Sequence, residues 1–215
     1  MRRTISFPGP KSTLLIFLVC VLAAIGACAQ SNTWTIDPNH SSAQFTVRHM
    51  MISNVKGTFS KVSGTVQYDA ADPTKSMVDA TIEVSSVDTH QEGRDRDLRS
   101  ANFFDVEKYP TMTFKSKKIE SAGPGKLKMT GDLTIHGVTK EVKFDVDGPS
   151  AVVKDTQGNM HTGAEATVTI NRRDFGLMYN RMLETGGAMV GDDVQITLDI
   201  EMVKRSATPG ASVSR

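Results

Sequence analysis

GDLTIHGVTKEVKF, residues 131–144, alternates, stops and alternates again. Gly131, Leu133 and Ile135 share one phase, Asp132 and Thr134 the other, and after His136-Gly137 the rhythm resumes at Val142 and Phe144. Two runs with one apolar face each, joined by a glycine-containing break, predict an antiparallel hairpin with a dry and a wet side. His136 falls on the outer phase just before Gly137 releases the chain. A hairpin from inward Ile135 to inward Val142 therefore gives His136 or Thr139 the task of hydrogen-bonding the turn backbone, not catalysis.

The same period of two extends in both directions. Ala43, Phe45 and Val47 share a face, as do Val62, Gly64, Val66 and Tyr68, then Val78, Ala80, Ile82 and Val84, then Met112 and Phe114. Leu127 and Met129 lead into the quoted stretch and Val146 continues it. Ala164, Ala166, Val168 and Ile170 repeat the pattern, and Val194, Ile196, Leu198 and Ile200 close it. These are eight strand candidates of an all-β domain, one-faced and hence antiparallel. They can close into a barrel or stack as a sandwich, and an immunoglobulin-like sandwich would here lack its usual cysteine pair. Only Val87–Pro110 breaks the rhythm for long. GRDRDLRSANFF predicts a short surface helix near residues 92–100, with Leu98 on its inner side and Phe103 and Phe104 following as plugs.

The ends of the chain read differently. Arg2, Arg3 and Lys11 precede the apolar run Leu14–Ile25 and the small residues Gly26-Ala27-Cys28-Ala29, the layout of an export signal over residues 1–29. The run falls short of the roughly 20 residues a spanning helix needs. Ala27-Cys28-Ala29 fits a cleavage site that frees Gln30 and gives a soluble product. Ile25-Gly26-Ala27-Cys28 also fits a lipobox, whose use would leave Cys28 acylated and the protein anchored at a membrane. Cys20 and Cys28 are the only cysteines, so the domain spanning residues 30–204 has no disulfide and no thiol nucleophile. The whole chain carries +1, and loss of its three leading basic residues leaves the mature form near −2; nucleic acid is not an expected partner. Residues 205–215 read as a flexible tail.

The quoted stretch, together with WTIDPNHSSAQFTVRHMMISNVKGTFSKVSGTV (34–66), RDRDLRSANFFDVEKYPTMTFKS (94–116) and RRDFGL (172–177), closely resembles the YceI-like family of exported polyisoprenoid-binding proteins. The segments match in the family's order from about Trp34 to Val203. The resemblance implies a lipocalin-like, eight-stranded antiparallel barrel in the periplasm. Its apolar channel would hold an isoprenoid chain such as a quinone or polyprenyl lipid, with no other cofactor and no established reaction. Homodimerisation is an expectation from the family alone.

Such a ligand suits the inner phases. An isoprenoid tail has almost no hydrogen-bonding capacity, and its burial is favourable by about 0.8 kcal/mol per CH2-sized group. The expected lining is Phe45, Val47, Val66, Ile82, Phe103, Phe114, Met129, Leu133, Phe144, Val168 and Leu198, although the same faces would also make a packed core. His40 and His49, flanking the first run, are candidates for head-group contacts near one barrel mouth, and Arg94 and Arg99 for clamping an anionic head. Arg172, Arg173 and Asp174 read as an arginine–carboxylate pair that fixes a loop. The histidines show no HxH or HExxH spacing and GxSxG is absent, so neither a metal centre nor a serine triad is expected. The reading is non-catalytic isoprenoid binding or transport. Its alternatives are a carrier of fatty acids or amides, an exported protein-interaction module, and a lipid-modifying enzyme.

Overall fold

A computed structural model describes residues 32–181 and 188–206. Its strands are β1 (Thr33–Ile36), β2 (Ser42–His49), β3 (Ser53–Phe59), β4 (Val62–Gln67), β5 (Met77–Glu83) and β6 (Val87–Asp88). After helix α1 (Glu92–Arg99) come β7 (Thr111–Gly123), β8 (Lys126–Ile135), β9 (Val138–Asp147), β10 (Val153–Lys154), β11 (Met160–Asn171) and β12 (Val190–Lys204). The expected signal with Cys28, and the tail from residue 207 onward, lie outside the described residues.

The opening stretch forms β8, a turn and β9. Ile135 pairs with Val138 across His136 and Gly137, whose φ values are 51° and 74°. Two positive φ values in a two-residue loop are the signature of the primed hairpin turns, whose twist matches that of the strands they join. The second strand begins at Val138 and not near Val142. Lys140 lies opposite inward Leu133 but is exposed, so a charged residue at the barrel rim hides the first half of β9 from a reading by alternation.

Several short strands are halves of one wall. β1 and β2, separated by Asp37–Ser41, both pair with β12; β3 and β4 pair with β2 and β1 in turn; β5 and β6 pair with β4 and β3. Merged in this way, the ladder runs β1/β2, β3/β4, β5/β6, β7, β8, β9, β11, β12 and returns to β1/β2, a closed barrel of eight antiparallel strands. Closure excludes the sandwich and leaves no long sheet edge exposed. The outer face carries cross-strand ion pairs such as Lys115–Asp79 at 3.1 Å and Lys117–Glu141 at 3.2 Å. These add little each but oppose slippage of register.

Helix α1 sits where the sequence placed it. Its N-cap Gln91 accepts a hydrogen bond from the Arg94 N–H, and buried Asp95 accepts from Thr89 N at 2.9 Å and Thr89 Oγ1 at 2.5 Å. The helix and the Phe103-Phe104 segment lie at the barrel end that also holds the β2–β3 and β8–β9 turns. The opposite end carries the loops around Pro73 and Pro149.

Candidate functional site

The inner phases converge on a cavity with about 240 Å³ of room for the centres of water-sized groups. Tyr68, Pro73 and Pro149 bound it at one end and Leu98, Phe103 and Leu177 at the other, so it follows the barrel's length. Of the eleven residues expected to line a channel, all but Val168 face it; Val168 packs against the surrounding core. Among the described residues no buried side-chain nitrogen or oxygen lacks a hydrogen-bond partner. The interior therefore presents hydrocarbon with no unmet polar demand.

Two glycines help to keep the lumen open. Gly57 stands opposite Phe45 in the β2–β3 ladder, and a methyl added there would come within 2.4 Å of the Phe45 ring. At Gly131 it would come within 2.5 Å of the Phe114 ring. Each ring packs over a glycine, in space that a side chain there would take from it, an arrangement known to support glycines in sheets. Phe114 then meets Phe144 edge-on at 5.2 Å.

The polar candidates separate by position. Arg94 donates from Nε to Thr89 Oγ1 at 2.7 Å and from Nη2 to Thr89 O at 3.0 Å; Arg99 donates to Ser85 O at 2.9 Å and Val87 O at 2.5 Å. Neither lines the cavity: both tie α1 to the wall. His40 and His49 do not share a mouth, because all of β2, eight residues and about 23 Å long, lies between them. His49 continues the phase of Phe45 and Val47 and pairs with Val190 beside the α1 end, but it does not line the cavity. Arg172, which sequence reading gave only a loop-fixing pair, is 4% exposed and borders the cavity. Its guanidinium donates to Leu177 O, Tyr179 O at 2.9 Å, Gly191 O at 2.9 Å and Asp192 Oδ1 at 3.0 Å. Burial lowers its pKa and Asp192 opposes that shift.

A second polar group lies at the opposite end, on the outer face. Asp37 Oδ2 and His40 Nδ1 are 2.9 Å apart. His161 faces Glu201 Oε1 through Nδ1 at 2.8 Å and Asp155 Oδ2 through Nε2 at 3.1 Å. Since carboxylates only accept, both His161 nitrogens donate, which is the imidazolium form; hydrogen bonds to Asp155 and Glu201 raise its pKa accordingly. At Asp155 desolvation pushes the pKa up, but hydrogen bonds from Asn159, His161 and nearby backbone N–H groups outweigh it and hold the carboxyl at about 2. The hydrogen bond to Asp37 raises the His40 pKa. No motif spacing announced this group, because Glu201 reaches the others only through strand register.

A closed eight-stranded antiparallel barrel around an apolar cavity defines the class of lipocalin-like barrels. The chain belongs to the YceI-like family: the model of the YceI-like domain matches residues 34–202. A UPF0312 protein of Staphylococcus aureus (strain MSSA476) is 38% identical over 168 residues, covering 78% of this chain and 95% of that protein. Among solved structures, Burkholderia cenocepacia BcnA matches with TM-score 0.65 at 26% identity, over 77% of this chain and 98% of that one. The Campylobacter jejuni YceI protein matches with TM-score 0.63 at 34% identity, over 74% and 90%. A polyisoprenoid binding domain from Saccharophagus degradans, implicated in plant cell wall breakdown, shares the fold with TM-score 0.56 at 15% identity, over 79% and 97%. Among the described residues, no helix is long and apolar enough to cross a membrane.

Proposed function

We propose that the chain binds a long isoprenoid lipid, a polyprenyl chain or isoprenoid quinone, lengthwise in the barrel and carries it without chemical change. The observation that carries this reading is the apolar cavity running between the two barrel ends, with Phe45 and Phe114 laid against glycines. Family membership supports it. His49, which pairs with cavity-lining Val190 at the α1 end and stands just outside the lining itself, is the head-group contact in this reading. The carrier works after export to the periplasm, soluble from Gln30 or anchored through Cys28. It loads at a bilayer through the β2–β3 tip, where Met51 is 63% and Ile52 74% exposed.

Organic extraction of the purified protein followed by mass spectrometry tests the reading, with a stoichiometric isoprenoid as the expected result. Fatty acids or amides in its place would make the chain a carrier of other amphiphiles. A protein free of lipid that also fails to take up added quinone or polyprenyl phosphate would refute it. Gly57→Ala sharpens the test: the displaced Phe45 ring enters the lumen, so a folded variant should retain less lipid.

A further inference from the structure

We propose that Asp37, His40 and Glu201 form a binding site for a zinc-type divalent transition-metal ion, which clasps the β1–β2 bulge to β12 on the outside of the barrel. The ligand atoms of these residues lie within 4.8 Å of one another, a separation that small side-chain rotations close to the spacing around a tetrahedral ion.

The backbone of the site is held before any ion arrives. Asp37 N donates to Glu201 O at 2.9 Å, while Ser41 Oγ accepts from Glu201 N at 3.0 Å and donates to Glu201 O at 3.3 Å. The available ligand atoms follow from the remaining hydrogen bonds. Asp37 Oδ1 accepts from Asn39 N at 2.9 Å, while Oδ2 faces His40 Nδ1 at 2.9 Å, so an ion bound between these two atoms would take the place of the proton they share. Glu201 Oε1 accepts from His161 Nδ1, leaving Oε2. The His40 side chain is 64% exposed and can turn either ring nitrogen inward. One imidazole and two carboxylates, with room for water, suit Zn²⁺ or its neighbours; the imidazole disfavours Mg²⁺ and Ca²⁺. His161, itself held by Asp155, orients Glu201 from behind as hydrogen-bonded partners of metal ligands do.

The position gives the site a consequence. β1 meets β12 only at Thr35↔Val203 and Ile36↔Met202, so the ion would sit beside the shortest stretch of the closing seam and strengthen it. His90 provides a comparison within the molecule, since it faces Asp88 at 3.4 Å in a histidine–carboxylate pair that belongs to no three-ligand group among the described residues.

Isothermal titration of the purified, chelator-treated chain with Zn²⁺ tests the assignment, paired with hydrogen exchange at the Asp37 amide. One ion per chain is expected, with slower Asp37 exchange and an affinity loss of about tenfold or more in His40→Ala and Glu201→Gln. His90→Ala should bind like the parent. His40→Ala removes an exposed ring, so its fold should persist. Absence of stoichiometric uptake, unchanged affinity in His40→Ala, or an equal loss in His90→Ala overturns the site.

Discussion

The two flanks of β12 are built differently. Toward β11 the ladder runs without interruption from Met160↔Lys204 to Asn171↔Asp193. Toward β1 and β2 it starts at Val203, breaks at the Asp37–Ser41 bulge, resumes at Ser42↔Asp199 and shifts again between Val194 and Val190. The unbroken flank contributes inner side chains and, on its outer face, His161, which reaches Glu201 across the ladder. The broken flank gathers Asp37, His40, Ser41 and Glu201 at its interruption, where backbone freed from the ladder can be held by side chains and polar groups can converge. Both flanks shape the cavity, but only the interrupted one frees backbone groups for side chains to hold.

Mutations can test that division. The largest effect should come from the continuous wall: Phe144→Asp places a carboxylate where the native ring is 1% exposed. Loss of the cooperative fold, by more than about 4 kcal/mol, is expected in urea titration followed by circular dichroism. A parent-like midpoint would show that this face is not dry. On the broken flank, Ser41→Ala removes the hydroxyl that serves both backbone groups of Glu201 and should cost about 1–2 kcal/mol. Faster amide exchange should be confined to the β1–β12 seam, and uniform acceleration around the barrel would deny the bulge its local role.

A smaller, pH-dependent effect belongs to His161. Its folded pKa is raised by Asp155 and Glu201, so its stabilisation is complete below the unfolded value of about 6.5 and fades as pH rises through the folded one. The melting-temperature gap between the parent and His161→Gln should therefore be widest near pH 6 and close in alkaline buffer; a gap that widens with pH would contradict the imidazolium clamp. The mildest change is His136→Ala. It removes a ring 4.4 Å from Tyr109 in a turn outside the cavity, and should cost about 1 kcal/mol or less with copurified lipid unchanged. Lipid loss from the folded variant would return that histidine to the binding site.

The sequence made the barrel legible wherever alternation was long enough to survive. Leu127 through Ile135 and Val194 through Ile200 needed no further information, whereas β1 and β3 offered too few inward positions between breaks. Most of the cavity lining followed from phase, though Val168 shares the inward phase without facing the cavity and Phe103 comes from the stretch that does not alternate. The cavity's openness did not follow, because it depends on Phe45 lying over Gly57 and Phe114 over Gly131, contacts between strands that no single run contains. The polar candidates were the least legible, for the same reason. Arg94 and Arg99 looked available as charges but are committed to backbone carbonyls. His40 and His49 looked like neighbours in sequence but sit about a strand length apart.

Ring closure by β12 also orders events in time. The first wall to be synthesised pairs with the last, so β1 and β2 must wait for nearly the whole domain to leave the ribosome before their ladder with β12 can form. A chain of such high contact order folds slowly and carries unsatisfied strand edges meanwhile. A nascent chain stalled before Val190 would keep β11 and β2 unpaired on the β12 side. For this barrel, truncation at the C-terminus is thus a more direct route to aggregation than any substitution on its outer face.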